Sequence, residues 1–260
     1  MEVAGSVAVV SGGASGLGAG VVRMLVAGGG RVACLDRDED AGRVLVEEMG
    51  PSCTFHSSDI TDPGQVAQAC AAAFESHGDP NLLVNCAGIA PVRRFLTREG
   101  DVYPLEQFRE VMEVNVMGTF DAIRNVAPRI ASREPGRDGE RGLIVNTGSL
   151  AGLEGQTGQT GYGASKGAVI ALTLPLARDL APLGIRVLCI CPAAMDTPML
   201  NAYPEEVQAR LSTLHLFPKR LGTPHDFAAL VRAMMEQPML NGSVIRLDAG
   251  THLGAEEEMK

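Results

Sequence analysis

The sequence predicts an α/β fold, a single domain built on one mainly parallel sheet, and three observations lead to this prediction. Short apolar runs alternate with segments of helical periodicity along all 260 residues. Some runs, such as VAVV at residues 7–10, are apolar at every position, as expected of strands buried on both faces. No linker rich in proline or serine divides residues 1–260, and no solenoid repeat occurs.

The first half of the chain alternates strands and helices. Apolar runs predict strands at residues 7–10, 31–36, 52–57 and 81–85. Helical periodicity predicts helices at 17–27, 40–49 and 63–76. The third helix has the clearest start, because Asp62 can accept hydrogen bonds from the first N–H groups and Pro63 suits the first helical position.

The second half repeats this pattern with longer connections. Strands are predicted at 142–148, 185–191 and 243–248, and helices at 104–117, 119–131, 162–181, 204–212 and 224–236. Residues 91–103 and 132–141 are predicted to be charged loops. Residues 192–222 contain several prolines and are predicted to form a lid over a pocket.

Composition limits the classes of function. A net charge of −9 argues against nucleic acid or an anionic membrane surface as the main partner. The six cysteines lack C-x-x-C spacing and mostly lie in apolar runs, which predicts free thiols in a reducing compartment such as the cytoplasm. The five histidines lack H-x-x-H spacing, so no metal site is predicted. No apolar window of about 18 residues occurs, so no membrane span is predicted.

The turn SGGASGLG at residues 11–18 predicts a nucleotide site. Gly12, Gly16 and Gly18 let the backbone approach a pyrophosphate, and the following helix offers free N–H groups at its positive end. Asp36 ends the second strand, where a carboxylate can bind ribose hydroxyls and repel a 2′-phosphate, or can simply close a turn. The pattern favours NAD over NADP and predicts a Rossmann-type, doubly wound sheet of seven strands with helices on both faces.

Polar residues gather where predicted strands end, and ligands of open parallel sheets bind at this edge. Asp59 and Ile60 follow the third strand, Cys86, Ala87 and Gly88 the fourth, Ser149 the fifth, and Met195 and Thr197 the sixth. Tyr162 and Lys166 are four residues apart in a predicted helix, which places them on one face. Alone they could be a surface pair, but their neighbours favour a chemical role.

This combination resembles the short-chain dehydrogenase/reductase family along the whole chain. The matching elements are the glycine turn, NCAG at 85–88, Asn115, Ser149, and the Y-x-x-x-K of Tyr162 and Lys166. The resemblance implies transfer of a hydride between NAD and a secondary alcohol or ketone, with the last four residues as the catalytic set. It also implies that Lys166 holds the nicotinamide ribose and that Asn115 helps to position a water linking Lys166 to solvent.

A proton must move with the hydride, which gives these residue types their roles. A free tyrosine has a pKa of about 10, and a base that works near neutral pH needs a lower one. Positive charge on Lys166 and on the oxidised nicotinamide is expected to lower the pKa of Tyr162. Ser149 is expected to hydrogen-bond the substrate oxygen as charge develops.

The candidate contacts follow from the strand ends and the resemblance together. The candidate cofactor contacts are Ser11, Gly12, Ser15, Gly16, Leu17, Gly18, Asp36, Asp59, Ile60, Cys86, Ala87, Gly88, Tyr162, Lys166, Met195 and Thr197. The candidate substrate contacts are Ser149, Gln156, Gln159 and Tyr162, although the two glutamines could be only polar loop residues.

Longer stretches, among them EGQTGQ at 154–159 and NGSVIRLD at 241–248, resemble the type II 3-hydroxyacyl-CoA dehydrogenase subgroup, also described as 17β-hydroxysteroid dehydrogenases. The resemblance implies a homotetramer that reversibly oxidises (S)-3-hydroxyacyl-CoA to 3-oxoacyl-CoA with NAD. Alternatives are a dehydrogenase for steroids or other bulky alcohols, a 3-oxoacyl-carrier-protein reductase, and a non-catalytic NAD-binding regulatory protein. Two arginine groups could bind CoA phosphates or be solvated surface charge: Arg93, Arg94 and Arg98, and Arg133, Arg137 and Arg141.

Two residues depart from the family pattern. Ala193 stands where glycine is common, and because alanine takes positive φ angles poorly, the loop after the sixth strand is expected to follow a different path. Gly163 lies inside a predicted helix, where glycine is unfavourable relative to alanine. Room for a bulky substrate is one explanation for this glycine.

Overall fold

The computed structural model describes residues 1–253, and its seven strands form one parallel sheet. The strands are β1 (Val7–Ser11), β2 (Arg31–Asp36), β3 (Cys53–Ser57), β4 (Leu82–Asn85), β5 (Gly142–Thr147), β6 (Ile185–Pro192) and β7 (Val244–Leu247). Their order is β3-β2-β1-β4-β5-β6-β7, and every neighbouring pair is parallel. All seven predicted strands are confirmed, and the mainly parallel sheet of the prediction is parallel throughout.

Helices connect the strands. They are α1 (Gly16–Ala27), α2 (Glu39–Met49), α3 (Pro63–His77), α4 (Leu105–Met112), α5 (Gly118–Ala131), α6 (Ala151–Glu154), α7 (Thr160–Leu180), α8 (Pro198–Asn201), α9 (Glu205–Thr213) and α10 (Pro224–Glu236). The short helices α6 and α8 were not predicted. A π-helical turn, Glu113–Met117, joins α4 to α5 without a break, because Gly118 keeps helical φ and ψ angles.

Neighbouring residues of each central strand feed two separate apolar cores, because side chains alternate between the faces of a strand. Val10 packs on the side of α1 and α10, with Leu25 and Phe227. Val9 packs on the other side, beneath α3 and α5, with Val126. Helices therefore cover both faces of the sheet, as the continuous apolar runs predicted.

The strand order reverses direction at β1, and this reversal positions the site. From β1 the chain proceeds outward to β2 and β3, and then returns to place β4 on the other side of β1. Ser11 and Asn85, the last residues of β1 and β4, are paired in register. The loops that follow these two strands therefore diverge from one point and leave a crevice at the carboxyl edge of the sheet.

Residues 1–253 contain neither a membrane-spanning helix nor a cluster of metal ligands. No helix in this range is long and apolar enough to cross a membrane. No group of three or more His, Cys, Asp or Glu side chains in the same range could hold a metal ion.

Candidate active site

A cavity of about 720 Å³ opens at the carboxyl edge of the sheet. One side, the strand-edge wall, consists of the turns that follow β1 to β5 together with Tyr162 and Lys166 at the start of α7. The opposite side, the lid wall, consists of the lining residues between Pro192 and His215. The cavity therefore lies where the reversal of strand order leaves space.

The glycine turn and the turn after β4 approach so closely that a side chain cannot fit between them. A Cβ atom on Gly12, whose φ is +64°, would lie 2.5 Å from the backbone nitrogen of Ala87. A Cβ atom on Gly18 would overlap the carbonyl of Gly12. Ser15, the N-cap of α1, makes no side-chain capping bond. Free N–H groups at this helix start can bind a pyrophosphate, so the turn fits a dinucleotide.

Asp36 holds the glycine turn in place from the end of β2. Its Oδ2 accepts a hydrogen bond from the N–H of Ala14 and its Oδ1 accepts one from the N–H of Asp38, both at 3.1 Å. An ionised carboxylate has about four acceptor positions. Asp36 lines the cavity and therefore has capacity left for ribose hydroxyls.

Tyr162, Lys166 and Ser149 meet on the strand-edge wall. Lys166 is buried, its Nζ donates to the carbonyl of Thr147 at 2.8 Å, and the same atom lies 5.8 Å from the centre of the Tyr162 ring. Ser149 Oγ accepts a hydrogen bond from the N–H of Ala151 at 3.1 Å, so its hydroxyl proton can point elsewhere. An ammonium has three donors. At least one donor of Lys166 is therefore available to ligands, and the Ser149 proton can point towards Tyr162.

Lys166 and the oxidised nicotinamide together are predicted to lower the Tyr162 pKa, and in the protein alone burial outweighs any such effect. Burial raises the pKa of Tyr162, and a hydrogen bond with Ser149 opposes that rise only in part. The Lys166 ammonium lies over the ring face and binds a carbonyl, and burial lowers its own pKa. Tyr162 is therefore a neutral phenol near neutral pH, the state in which it can donate a proton.

Asn115 lies behind the cavity and does not line it. It occupies the middle of the π-helical turn, a feature that is frequent at functional sites. Its Oδ1 accepts from the N–H of Ile89 at 2.8 Å, and its Nδ2 donates to the carbonyl of Ile89 and to Ser165 Oγ, both at 2.9 Å. A Cβ atom on Gly88 would lie 3.1 Å from Asn115 Oδ1 and 3.5 Å from Lys166 Nζ. Asn115 thus ties the turn after β4 to α7 beside Lys166.

Most of the other predicted contacts line the cavity, and two do not. Lining residues are Gly12, Ser15, Gly16, Leu17, Asp36, Asp59, Ile60, Cys86, Ala87, Gly88, Gln156, Gln159, Met195 and Thr197. Ser11 instead donates to Asn85 Oδ1 at 3.2 Å, inside the sheet. Gly18 acts only by allowing α1 to approach Gly12. These two residues support the site from behind.

Most residues of the lid wall, and the end of the described chain, were not predicted to line the cavity. Val207, Leu211 and Leu214 line the cavity at helical spacing, a signal that was present in the sequence. Tyr203 also lines it and donates its hydroxyl to the carbonyl of Ala90 at 2.9 Å. Leu253 lines it too, and a hydrogen bond from its N–H to Glu154 at 2.6 Å helps to hold it there.

One of the two arginine groups lies at the wrong edge of the sheet to reach this cavity. Loop 132–141 directly precedes β5, and the Arg141 N–H donates to the carbonyl of Gly184, which precedes β6. The loop is therefore at the amino edge, and the expectation that Arg133, Arg137 and Arg141 bind CoA phosphates at this site is wrong. Loop 91–103 remains near the cavity, since Val92 lines it.

The two departures from the family pattern have structural explanations. Within residues 1–253, only Asp138 and Ala249 among non-glycine residues have positive φ angles, so Ala193 needs no unusual backbone. A Cβ atom on Gly163 would lie 3.1 Å from the carbonyl of Ala151, so this glycine lets α7 pack closely on α6. Gly163 does not line the cavity, so the structure gives no support to the explanation by room for substrate.

Comparisons with known proteins agree with one another. The family described as short chain dehydrogenase matches residues 6–208. The chain is 44% identical over 253 residues to 3-hydroxyacyl-CoA dehydrogenase type-2 of Homo sapiens, a match that covers 97% of each chain. It is similar to the crystal structure of 3-hydroxyacyl-CoA dehydrogenase type-2 from Mycobacterium avium, with TM-score 0.91, 39% identity and coverage of 96% of this chain and 97% of that one. It is also similar to the crystal structure of 3-ketoacyl-(acyl-carrier-protein) reductase from Brucella melitensis complexed with NADH, with TM-score 0.85, 29% identity and coverage of 96% of this chain and 99% of that one.

Proposed function

The chain belongs to the short-chain dehydrogenase family and is an oxidoreductase, and from this premise we propose its reaction: NAD-dependent, reversible oxidation of (S)-3-hydroxyacyl-CoA to 3-oxoacyl-CoA. The observation that carries the proposal is the placement of Ser149, Tyr162 and Lys166 at one end of a cavity whose opposite wall is largely apolar. Two similar proteins bear the name 3-hydroxyacyl-CoA dehydrogenase type-2, which supports the substrate class.

Three features of the strand-edge wall support NAD as the cofactor, which would supply the hydride acceptor for alcohol oxidation. The turn from Gly12 to Gly18 would hold the pyrophosphate with backbone N–H groups. Asp36 would hold the adenosine ribose and disfavour a 2′-phosphate. Lys166 has donors left for the second ribose, because it spends one on the carbonyl of Thr147. The relative from Brucella melitensis was crystallised with NADH, which supports a nicotinamide cofactor here.

Tyr162 and Ser149 would handle the substrate oxygen. In the direction of ketone reduction, neutral Tyr162 donates its phenolic proton to the ketone oxygen, and Ser149 donates a hydrogen bond to the same oxygen. In the direction of alcohol oxidation, Tyr162 accepts the hydroxyl proton, and positive charge beside it must then lower its raised pKa. Asn115 would help to position a water that links Lys166 to solvent and returns protons to it.

Polar and apolar groups divide the space in front of Tyr162 in a way that suits an acyl-CoA. Gln159 lines the cavity, and its buried Oε1 has no hydrogen-bond partner within residues 1–253. A buried acceptor of this kind is costly unless a ligand donates to it, and the pantetheine arm of CoA carries amide N–H groups. Met199 and Leu200 offer apolar surface to an acyl chain.

The apolar lid wall also favours a second candidate, oxidation of a hydroxysteroid or another bulky alcohol. We propose that residues 192–222 act as the substrate lid of a single NAD-binding domain in either case. Tyr203 supports this role, since its hydrogen bond to the carbonyl of Ala90 joins the lid wall to the turn after β4.

We further propose that the protein works as a homotetramer in the cytoplasm. Met117 and Phe120, near the junction of α4 and α5, are 52% and 43% exposed, and Val244 lies on the unpaired edge strand β7. Exposed apolar side chains and an open sheet edge suit contacts with other copies of the chain. All six cysteines are free thiols, which suits a reducing compartment.

The proposal is tested by following NADH oxidation with acetoacetyl-CoA and with longer 3-oxoacyl-CoAs, with ketosteroids measured alongside. We expect turnover with the thioesters, and kcat/KM for the best thioester above that for any steroid. Turnover of steroids alone would replace the first candidate by the second. The sedimentation velocity of the same preparation measures the oligomeric state.

A further inference from the structure

One side of α9 faces the cavity and carries a single charge. Val207, Arg210, Leu211 and Leu214 all line the cavity, and their spacing places them on one stripe of a helix. Three of the four are aliphatic, as expected of a stripe that turns away from water. Arg210 is the exception, and long charged residues are uncommon on such a stripe unless the charge meets a partner.

The Arg210 guanidinium has no such partner in the part of the chain that the structure describes. No hydrogen bond or ion pair of this group is found within residues 1–253, although Arg210 is half-buried. Arg220, ten residues further on, shows the contrast, because it binds both carboxylate oxygens of Asp226, at 2.7 and 2.9 Å. Among residues 1–253, a planar cation therefore faces the cavity with no acceptor bound to its donors.

Charges along the cavity are unevenly distributed. The described carboxylates that line it, Asp36, Asp38 and Asp59, all lie at or just after the ends of β2 and β3 in the cofactor half, where Arg37 is the one cation among them. In the other half, Lys166 is held by the carbonyl of Thr147, which leaves Arg210 as the fixed charge of the lid wall. The potential of the substrate half therefore favours an anion and disfavours a cation.

We infer that Arg210 binds a phosphate of the CoA moiety. The inference rests on the proposed function and adds the residue that recognises the part of the substrate remote from the reaction. Tyr162 and Arg210 line the same cavity, and in an acyl-CoA the phosphates lie at the far end of the pantetheine arm from the reacting carbonyl. A guanidinium binds phosphate through two parallel N–H bonds, which a single ammonium cannot reproduce.

The test compares two thioesters of acetoacetate: the CoA ester, and the N-acetylcysteamine ester, which keeps the reacting group but lacks every phosphate. For Arg210→Gln we expect KM for acetoacetyl-CoA to rise about tenfold, with kcat nearly unchanged. We expect no change for the N-acetylcysteamine ester. Arg210→Lys should recover part of the loss. Arg137→Gln, at an exposed position on the amino edge of the sheet, is the matched control and should leave both esters unchanged.

A second measurement does not depend on turnover. Calorimetric titration of free CoA into the NADH-saturated protein should give a dissociation constant about tenfold higher for Arg210→Gln than for the wild type. An equal effect of Arg210→Gln on both esters, or an unchanged constant for CoA, would overturn the inference while leaving the proposed function intact. Failure of the wild type to reduce acetoacetyl-CoA would instead overturn the proposed function, and the inference with it.

Discussion

The strand-edge wall and the lid wall enclose the same cavity but are held in place differently. The strand-edge wall depends on close backbone approaches, such as that of Gly12 to Ala87, and on carboxylate bonds from Asp36 to two backbone N–H groups. The lid wall has one backbone bond to the opposite side at its start, from the Leu150 N–H to the Pro192 carbonyl. Further along, it is joined through a side chain, in the hydrogen bond of Tyr203 to the carbonyl of Ala90. The comparison indicates that the strand-edge wall is fixed mainly by backbone geometry, whereas the outer part of the lid wall depends more on side chains, which can change without disturbing the fold.

The largest effect is expected on the strand-edge wall, for Tyr162→Phe. Removal of the phenolic proton donor should lower kcat on the order of 10²- to 10⁴-fold, the range of general acid–base catalysis. NADH should still bind, because the glycine turn and Lys166 remain. Stopped-flow reduction of acetoacetyl-CoA measures kcat, and NADH fluorescence measures cofactor binding.

Tyr103→Phe is the matched control for this prediction. The Tyr103 hydroxyl is buried without a hydrogen-bond partner within residues 1–253, and Tyr103 does not line the cavity, so the same deletion should leave turnover unchanged. In the wild type, the raised pKa of Tyr162 predicts reduction that is flat near neutral pH and falls in alkali, and oxidation that rises with pH. A wild-type rate for Tyr162→Phe would show that another group carries the proton.

The next effect concerns cofactor choice, also on the strand-edge wall. Asp36→Asn keeps an acceptor for the Ala14 N–H but removes the charge that would repel a 2′-phosphate. We expect the ratio of kcat/KM for NAD to that for NADP to fall by roughly tenfold or more, since like charges in contact are strongly unfavourable. Asp38→Asn is the control, because it removes a neighbouring charge from the same turn and asparagine still caps α2. Equal ratios for the wild type and Asp36→Asn would remove the role given to Asp36.

A smaller effect, on stability, tests whether close backbone approach supports this wall. A Cβ atom on Gly152 would lie 2.7 Å from the carbonyl carbon of Lys166, so Gly152→Ala should lower the free energy of unfolding by about 1–3 kcal/mol. Gly163→Ala should be nearly neutral, because its 3.1 Å contact with Ala151 is offset by a gain in helix propensity. Urea unfolding of both variants measures the difference. Equal values would mean that the packing of α6 on α7 tolerates a methyl group.

The two walls also differ in how far the sequence predicts them. Residues of the strand-edge wall lie at strand ends, as Asp36 ends β2 and Ser149 comes just after β5, so a strand prediction places them. The lid wall depends on contacts between distant segments: Tyr203 and Ala90 are 113 positions apart, and no local pattern joins them. The position of loop 132–141 at the amino edge also follows from the strand prediction, because this loop directly precedes a predicted parallel strand. The raised pKa of Tyr162 reflects burial, which spacing alone does not reveal.

The smallest effect is expected on the lid wall, for Tyr203→Phe. Loss of one hydrogen bond to the Ala90 carbonyl should raise KM for acetoacetyl-CoA by about two- to tenfold, with little change in kcat or in NADH binding. Hydrogen exchange over residues 198–214 should become faster, because this bond joins the segment to the turn after β4. Tyr103→Phe again serves as the control. If exchange and KM both stay at wild-type values, the lid wall is held by its apolar contacts rather than by Tyr203, and the contrast between the two walls is weaker than proposed.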